Sequence, residues 1–581
     1  MDTQTIYRRR WGILSVLILS LLAIVLDNTI LNVALKTIAE PHAGLGATQS
    51  QLEWAINSYT LVFAGLLFTF GVIGDRIGRK RMLMIGLLLF GVGSLLSAFS
   101  RSPDQLIFAR AAMGLGGAAV MPQTLSIISN VFEPQERPKA IGIWASAVGI
   151  GVAIGPVLGG VLLAHFWWGS VFLVNVPVTI IGAILVATLV PESRNPERVG
   201  IDYLGVLLSI AGLVLVVYGI VQGGDTGSWG TVSVLGPLFG GLAVLGLFAW
   251  YEAHSRHPAL DVRLFRDRRL SASVGALALV FFGMGGVYFF TSFYTQDVLG
   301  YSPVDAGLLT VPFAVGQLLA SPRSAPLVRR FGAKAVGTSG MLIMSIALAG
   351  YVLLGTASPV WLLGLLFFIQ GSGIGVAMPA ATSAVMDVLP RERAGAGSAL
   401  TNTARQVGVA LGTAVLGSIL AQAYHNALNP TLNHLPATAR GAAGGSIEAT
   451  QAVAARLGSA GHFLLGPAND AFVSAMHVTT LVAAAISLAG ALVVLRWMPG
   501  RPRTTAVMDT VVPETPAEVI TEGAPVAVGA ATTAAGAFEA APPAGLETAL
   551  DAPTGPGGID PMEALDVWQE NLSARASGGE R

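Results

Sequence analysis

Long apolar stretches recur throughout this chain, and they limit its fold more than any other feature. A helix needs about 20 apolar residues to cross the hydrocarbon core of a bilayer. Hydrophobic residues make up 53% of the 581 residues, charged residues only 11%, and the mean hydropathy is +0.67. We therefore predict an all-α polytopic membrane protein. Its 14 predicted spans are 11–35, 52–74, 82–100, 104–131, 139–163, 171–190, 203–221, 231–251, 271–295, 305–323, 335–355, 360–386, 395–423 and 471–496.

Residue types that are rare or missing argue against several classes of protein. The chain has no cysteine, which excludes disulfides and thiolate metal or redox sites. A balance of 33 basic and 33 acidic residues gives no reason to expect nucleic acid as a partner. The eight histidines are scattered and no ATP-binding G-x-x-x-x-G-K-S/T loop occurs, so we expect no metal and no cofactor. An enzyme or a channel would need a clustered site or a selectivity-filter pattern that this sequence lacks.

The distribution of Lys and Arg predicts the orientation of the chain, because cytoplasmic loops carry an excess of these residues. If the N-terminus is cytoplasmic, 25 Lys and Arg residues fall on the cytoplasmic side. Only Lys36, Arg101, Arg440 and Arg456 fall on the opposite side. We expect a multi-pass, monomeric protein of a bacterial inner membrane, surrounded by lipid, with both ends in the cytoplasm.

A six-span unit occurs twice in the sequence. Pro122 in the fourth span recurs as Pro379 in the twelfth, a shift of 379 − 122 = 257 residues. Parallel repeats of six helices are typical of transporters whose halves move around a site near the middle of the membrane. The same shift relates Gly114 to Gly371 and Gly116 to Gly373.

The repeat divides the chain into four predicted regions. The first half is 1–190, the two linker spans and a cytoplasmic loop are 191–270, and the second half is 271–498. Within the second half, 424–470 is expected to be an extracytoplasmic loop, either a mobile cap or a loose insertion. The tail 499–581 is rich in Ala, Pro, Gly, Thr and Glu and is predicted to be disordered, since this composition cannot bury a core.

A short cationic turn joins the second and third spans. Its sequence from Gly74 to Lys80, with Gly71 before it, resembles the loop pattern G-x-x-x-D-R-x-G-R-K of the major facilitator superfamily. The resemblance implies that Asp75 docks on the small residues 394–397 at the start of the thirteenth span and holds the cytoplasmic gate shut. The alternative is that the turn only sets the topology. The predicted latch comprises Gly71, Asp75, Arg76, Gly78, Arg79 and Lys80.

Two further motifs resemble the 14-helix drug:proton antiporters of that superfamily, the group of EmrB-like and QacA-like exporters. Residues 26–35 are close to L-D-x-T-I-V-N-V-A-L, and residues 167–177 read W-W-G-S-V-F-L-V-N-V-P. The resemblance implies a 6+2+6 arrangement of helices and proton-driven export of hydrophobic, cationic drugs, dyes and quaternary ammonium compounds. The alternative within transport is a dedicated exporter of an endogenous antibiotic, siderophore or lipid.

Asp27 is the first candidate for coupling. A charged side chain inside a span costs roughly 2.5 to 3.5 kcal/mol on insertion scales, so it persists where something uses or satisfies the charge. A cationic substrate could compete with a proton for this carboxylate, which is a minimal antiport mechanism. Asn28 and Asn32 extend a polar stripe beside it. The alternative is a structural carboxylate that is hydrogen-bonded to neighbouring helices.

Arg110 and Arg405 are the cations predicted inside spans. Arg110 begins the family pattern R-x-x-x-G-x-G, and the resemblance implies a role in proton transfer. A structural hydrogen-bonding role is the alternative. Arg405 in the thirteenth span could repel or select substrates, or tie helices together.

The fifth span carries the pattern G-x-x-x-G-P-x-x-G-G. Glycines four residues apart allow a neighbouring backbone to approach closely, and a proline bends the helix. The resemblance implies an antiporter, and therefore export, whereas tight packing without such a role is the alternative. The predicted motif residues are Gly151, Gly155, Pro156, Gly159 and Gly160.

Aromatic side chains could complete a site for a flat cation through cation–π contacts. Aromatic residues are also common in helix packing, so only about one in three is expected to contact substrate. The candidates are Trp54, Tyr59, Tyr288, Phe289, Phe290, Phe293 and Tyr294.

Overall fold

The computed structural model consists mainly of α-helices joined by short turns and loops in the part of the chain that it describes. The described residues are 3–40, 43–133, 136–194, 202–255, 258, 261–388, 394–433, 440 and 443–498. The tail 499–581, and the repeat markers around 134–135 and 390–393, lie outside them. The helices are α1 (Thr3–Ala39), α2 (Gln49–Ile77), α3 (Arg79–Ala98), α4 (Pro103–Val131), α5 (Arg137–His165), α6 (Ser170–Leu173), α7 (Asn175–Leu189), α8 (Tyr203–Thr226), α9 (Val232–His254), α10 (Arg268–Phe293), α11 (Pro303–Leu309), α12 (Val311–Phe331), α13 (Ala333–Gly350), α14 (Val360–Val388), α15 (Ala394–Leu432), α16 (Ile447–Arg456) and α17 (Leu465–Trp497).

The helices confirm the predicted fold. Among the described residues, 12 helices are long and apolar enough to cross a membrane, or 13 if the bent α2 is one span. Helix α2 bends by 54° where its segment Gln49–Leu67 meets Thr69–Ile77. Helix α5 occupies the place of the remaining predicted span, although its apolar part Ile150–His165 is shorter. The sixth span is α6 with α7, and the tenth is α11 with α12.

Several spans extend beyond their predicted limits. The tenth was predicted at 305–323, and the structure continues its helix to Phe331. The added turns carry Arg329 and Arg330, which are too polar for the hydrocarbon core but are compatible with a helix in the interface. Hydropathy therefore locates the membrane spans but underestimates the length of the helices.

The two halves repeat their packing in register. A Cβ added to Gly116 would lie 2.7 Å from Phe90 Cα, and one added to Gly373 would lie 3.2 Å from Met344 Cα. The two contacts are related by the repeat, since 373 − 116 = 257 and 344 − 90 = 254. Glycine is needed at both positions because the helix backbones touch there.

The turns between the second and third helix of each half also match. Gly78 has φ +118° between α2 and α3, and Gly332 has φ +86° between α12 and α13. Glycine adopts positive φ without the strain that a Cβ would cause. We call the end of the bundle that carries these two turns the turn end, and the opposite end the loop end.

Helices α8 and α9 pack against each other, and α8 also contacts both α2 and α15. The contact is apolar, and most large side chains of α9, such as Leu242 and Trp250, are exposed on the outside of the bundle. Helix α8 thus bridges the two halves while α9 faces outward. The small cluster between α8, α2 and α15 contains Leu61, Val217, Val221, Ala410 and Ala414.

The described residues of the segment 424–470 form more helix than predicted. Helix α15 continues through its first nine residues, α16 lies in its middle, and α17 begins within it. Helix α16 starts at Ser446, whose hydroxyl accepts a hydrogen bond from the amide of Ala449 at 3.2 Å. Its buried positions Ile447, Thr450 and Ala454 form one helical face. The loose-insertion prediction was wrong for these residues because spacing, rather than overall composition, determines whether a helix can pack.

Candidate functional site

A buried ion pair lies inside the first half. Nη1 of Arg110 on α4 donates a short hydrogen bond to Oδ2 of Asp27 on α1. Both side chains are only 1% exposed. The sequence predicted both residues as candidates, and the structure brings them into direct contact.

Further contacts fix the guanidinium of Arg110. Its Nε donates to the carbonyl oxygen of Ala55 on α2 at 3.1 Å. Its Cζ lies 4.5 Å from the ring centroid of Tyr59, a cation–π distance. The Tyr59 hydroxyl accepts a hydrogen bond from Asn28 Nδ2 at 3.2 Å. Arg110 is therefore held by α1, α2 and an aromatic face together.

The second oxygen of Asp27 has its own partner. Asn175 Nδ2 donates to Asp27 Oδ1 at 3.1 Å and to Ser94 Oγ at 3.2 Å. Ser94 in turn donates to the carbonyl oxygen of Phe172 at 2.8 Å. Asn175 lies within the 167–177 motif, but the sequence alone assigns it no role. This contact of Asn175 was missed because the break between α6 and α7, which places its side chain, is not visible in the hydropathy.

These contacts define the Asp27 network, formed by Asp27, Arg110, Asn175, Ser94 and Tyr59. Each Asp27 oxygen accepts a hydrogen bond, and the arginine balances its charge. Removing one member of a buried pair leaves an uncompensated charge, which is strongly unfavourable. A proton that binds Asp27 would therefore weaken the hold on Arg110 and change the contacts of at least three helices.

A small cavity lies between the two halves, close to this network. Its volume is about 20 Å³, enough for a water molecule. Asn32 lies in its wall and donates through Nδ2 to the carbonyl oxygen of Asn28 at 2.9 Å. Because Asn28 also contacts Tyr59, the wall is connected to the Asp27 network. We call this the central cavity, and it is lined by Thr29, Asn32, Val33, Pro156, Tyr288, Thr291, Ser292, Thr295, Gln296, Ala306, Thr310 and Phe367.

The predicted aromatic residues separate into two groups. Tyr288 lines the central cavity and packs edge-on against Phe313 at 5.4 Å between ring centroids. Phe289 packs against Phe293 at 5.5 Å, away from the cavity wall. Tyr294 donates its hydroxyl proton to the carbonyl oxygen of Gly355 at 2.8 Å. The contacts of Phe289, Phe293 and Tyr294 are therefore those of ordinary helix packing.

Two other predicted aromatic residues also pack within the helix bundle. Trp54 pairs with Tyr218 of α8 at 6.3 Å between ring centroids. Phe290 packs near Tyr351 at 6.4 Å. In this conformation their rings contact neighbouring helices rather than the central cavity.

Arg405 differs from Arg110 in its surroundings. Its Cζ lies 4.7 Å from the ring centroid of Phe281, and Nη1 donates to Asn402 Oδ1 at 3.4 Å. Its Nε has no hydrogen-bond partner among the described residues. Arg405 therefore rests on an aromatic face, and no carboxylate among the described residues is paired with it.

The glycine motif of α5 presents two faces. Gly151, Gly155 and Gly159 face α1, where an added Cβ at Gly159 would lie 3.0 Å from Ile30 Cγ2. Gly160 instead faces the second half, and an added Cβ would lie 2.6 Å from Val304 Cα on α11. In the same way, a Cβ added to Gly307 of α11 would collide with the backbone of Pro156. Helix α5 therefore packs within its own half and across to the other.

The cationic turn is bound to the segment that follows α7. Asp75 pairs with Arg79 at 2.7 Å, one helical turn away. The amide of Arg79 donates to the carbonyl oxygen of Ser193 at 2.9 Å, and the amide of Lys80 donates to Glu192 Oε1 at 3.2 Å. Arg76 also lies in this turn. The side chains of 394–397, the expected docking partner of Asp75, lie outside the described residues.

Polar contacts join the two halves at the loop end. Lys36 of α1 pairs with Asp297, in the π-helical turn after α10, at 3.2 Å. Gln296 donates through Nε2 to the carbonyl oxygen of Val33 at 3.0 Å. Glu448 of α16 lies nearby, where burial and then the negative charge of Asp297 raise its pKa to about 8. Sequence reasoning treated Lys36 only as a topology signal, since its partner is 261 positions away (297 − 36 = 261).

No metal site is evident in the part of the chain that the structure describes. Groups of three or more His, Asp or Glu side chains that could hold a metal ion do not occur among the described residues.

Comparison with known families decides the classification. The Major Facilitator Superfamily matches residues 17–413. The chain belongs to this superfamily. A crystal structure of a bacterial homolog of the human lysosomal transporter Spinster, inward-facing and unoccupied, has a TM-score of 0.59 and 18% sequence identity. It covers 84% of this chain and 98% of that one, and at this identity the likeness concerns the fold alone.

The relatives of this chain include an efflux pump and several drug resistance proteins. The multidrug efflux pump LfrA of Mycolicibacterium smegmatis is 36% identical, over 84% of this chain and 96% of that protein. The methyl viologen resistance protein SmvA of Salmonella typhimurium is 33% identical, over 72% and 83%. The puromycin resistance protein pur8 of Streptomyces alboniger is 35% identical, over 71% and 82%.

Proposed function

We propose that this protein is a proton-coupled antiporter that exports hydrophobic, cationic small molecules by alternating access. The observation that carries the proposal is the buried Asp27–Arg110 pair, connected to the central cavity through Asn28 and Asn32. A transporter rather than an enzyme fits this arrangement. Efflux pumps and resistance proteins among the relatives support the direction of transport.

The proposed cycle uses competition for one carboxylate. Arg110 and Asn175 stabilise Asp27 in its ionised form, and because the Asp27–Arg110 pair is then neutral overall, it does not repel a cation in the central cavity. A proton that arrives from the other side neutralises Asp27 and leaves the positive charge of Arg110 uncompensated, so the cation is repelled and leaves. Because Arg110 also holds the carbonyl oxygen of Ala55, protonation of Asp27 would alter the packing of α2.

The proposed orientation places the turn end in the cytoplasm, with both termini on that side of a bacterial inner membrane. The excess of Lys and Arg on that side supports it. The contacts of Lys36 with Asp297 and of α5 with α11 support a conformation that is closed at the loop end. The protein is expected to work as a monomer in the bilayer, driven by the proton gradient without another cofactor.

A dedicated exporter of a self-made compound is the second candidate. The puromycin resistance protein and the tetracenomycin C resistance and export protein of Streptomyces glaucescens, which is 32% identical, favour it. A knockout strain would separate the two candidates. A broad gain of drug sensitivity supports multidrug export, and one narrow phenotype supports the dedicated exporter.

A reconstituted system tests the antiport proposal. The full chain is placed in liposomes, a pH gradient is imposed, and movement of ethidium is compared with that of a neutral compound. We expect gradient-dependent ethidium movement, its loss in Asp27→Asn, and normal activity in Asp104→Asn, the same change at an exposed residue. Dye movement that ignores the gradient would contradict antiport, and an active Asp27→Asn would remove Asp27 from the mechanism.

A further inference from the structure

A second, larger pocket lies at the loop end between α2, α8 and α15. Its volume is about 390 Å³, far more than that of the central cavity. Its described lining is polar and contains two carboxylates, Glu53 and Asp225, with no Lys or Arg. We call it the loop-end pocket, and it is lined by Gln49, Ser50, Glu53, Val221, Gly224, Asp225, Thr226, Gly227, Ser418, Ala421, Gln422, His425, Asn426, Asn429, Gly444 and Gly445.

Glu53 is the unusual member of this lining. The residue is 2% exposed, and its Oε2 has no hydrogen-bond partner among the described residues. Its Oε1 accepts only a long hydrogen bond from Gln49 Nε2, at 3.4 Å. A buried carboxylate without a cation or good donors is strongly disfavoured, whereas a protonated carboxyl group can remain buried and donate to water.

The position opposite Glu53 leaves room for its carboxyl group. Gly417 of α15 faces it, and a Cβ at position 417 would lie 2.6 Å from Glu53 Cδ. Asp225, by contrast, is exposed, so water reaches it without hindrance. The pocket therefore combines a buried acid with an open polar approach.

We propose that Glu53 is a second proton-binding carboxylate, which exchanges its proton with solvent through the loop-end pocket. The proton is favoured over an organic cation because, His425 apart, the described lining has no aromatic ring to form a cation–π face. Asp27 does not line either pocket, so the two acids have different access to water.

Helix α2 connects Glu53 to the Asp27 network. Two residues after Glu53, the carbonyl oxygen of Ala55 accepts the hydrogen bond from Arg110, and Tyr59 follows one turn later beneath the guanidinium. A change in the charge of Glu53 therefore acts on the helix that holds Arg110. This role in transport rests on the antiport proposed above, whereas proton binding by Glu53 does not.

Infrared difference spectroscopy tests proton binding without any transport. The reconstituted full chain is titrated while the C=O band of protonated carboxyl groups is followed. We expect one titrating band to disappear in Glu53→Gln and to remain in Asp225→Asn, the matched acid in the same pocket. An unchanged set of bands in Glu53→Gln would overturn the proposal.

Access through the pocket has a separate measurement. The chain contains no cysteine, so Glu53→Cys carries the only thiol. We expect a membrane-impermeant methanethiosulfonate reagent to modify it when added from the loop-end side and not from the turn-end side. A thiol that is inert from the loop-end side would overturn the access route.

The contribution to coupling is measured last. Glu53→Gln is expected to slow gradient-driven ethidium export at least tenfold while ethidium binding stays unchanged. An unchanged export rate would overturn the role in coupling. If the wild-type protein shows no gradient dependence while the infrared band is still lost in Glu53→Gln, the antiport proposal fails and the proton site stands.

Discussion

The two halves share a packing scheme but differ in what they bury at its centre. By the register of the repeat, Arg110 corresponds to Phe367, since 367 − 110 = 257. The contacts of Gly151 with Val25 and of Gly408 with Ala278 align α1 with α10 at 278 − 25 = 253, so Asp27 corresponds to Val280. An ion pair in the first half is therefore replaced by apolar side chains in the second. The second half folds without such a pair, which supports the proposal that the charges of the first half serve transport.

The largest expected effect comes from making the first half resemble the second. In Asp27→Val with Arg110→Phe, an apolar pair replaces the ion pair, and such replacements are often neutral or stabilising by about 1 to 4 kcal/mol. We expect a folded protein with no gradient-driven transport. Thermal unfolding and dye export in liposomes measure the two properties.

The single change Arg110→Phe is the matched control for that pair. It leaves Asp27 buried without its cation and should destabilise the protein by about 3 to 5 kcal/mol. If the double variant exports dye at the normal rate, the difference between the halves has no role in coupling.

A pair of equivalent glycines gives the next largest effect. An added Cβ at Gly412 would meet the backbone carbonyl group of Phe282, while one at Gly155 would meet the side chain of Thr29. The added Cβ at Gly412 would lie within 3.0 Å of three backbone atoms of Phe282, whereas at Gly155 the contacts that close are with side-chain atoms of Thr29. We therefore expect Gly412→Ala to destabilise by about 1 to 3 kcal/mol and Gly155→Ala by less. Apparent melting temperatures measure this, and the opposite order would mean that α5 is packed more rigidly than α15.

Helix α16 lies in a segment that extends the second half beyond the repeat, and its docking on the helix bundle should depend on pH. When α16 is docked, the pKa of Glu448 is raised from 4.5 to about 8. Glu448 therefore keeps its proton up to a higher pH in the docked helix than in the undocked one. Docking is strongest below pH 4.5 and weakens as the pH rises towards 8. With these two pKa values, labelling of Ala454→Cys should accelerate on the order of fiftyfold between pH 6 and 8.

Two variants control that experiment. The rate is corrected with Ala455→Cys, which places an exposed thiol on the same helix. Adding Glu448→Gln should remove the pH dependence of the corrected rate. If the dependence persists in that variant, another group nearby, such as Asp297, controls docking.

The smallest effect on stability is expected in the turns. Asp75 pairs with Arg79 one helical turn away at partly exposed positions, and such pairs contribute about 0.3 to 0.5 kcal/mol. Asp75→Asn should therefore barely change stability but should slow transport if Asp75 is a latch. Its repeat equivalent Arg329 provides the control Arg329→Gln, which should change neither property. Normal transport and an unchanged gate-opening equilibrium in Asp75→Asn would leave the turn as a topology signal only.

Much of the fold could be predicted because hydropathy and the repeat are properties of the sequence alone. The spans, the two halves and the turn at Gly78 follow from them. Asn175 could not be assigned in this way, because its partners Asp27 and Ser94 lie on other helices. Glu53 could not be assigned either, because its position against Gly417 depends on how α2 packs on α15. Similarly, Asp297 becomes part of a contact between halves only when α1 and α10 meet. Helix α16 was missed because its face of Ile447, Thr450 and Ala454 is too short and too weakly apolar to stand out.

The contact between α5 and α11 has a consequence for the cell. At Gly160 and Gly307 the two backbones approach so closely that even a methyl group lacks space. A file of water molecules, which conducts protons readily, therefore cannot pass between them. If the loop end is closed as proposed, the same seam would also limit discharge of the membrane when no substrate is moving. A larger residue at Gly160 should make liposomes lose their pH gradient in the absence of substrate, a leak that would burden the cell even if export continued.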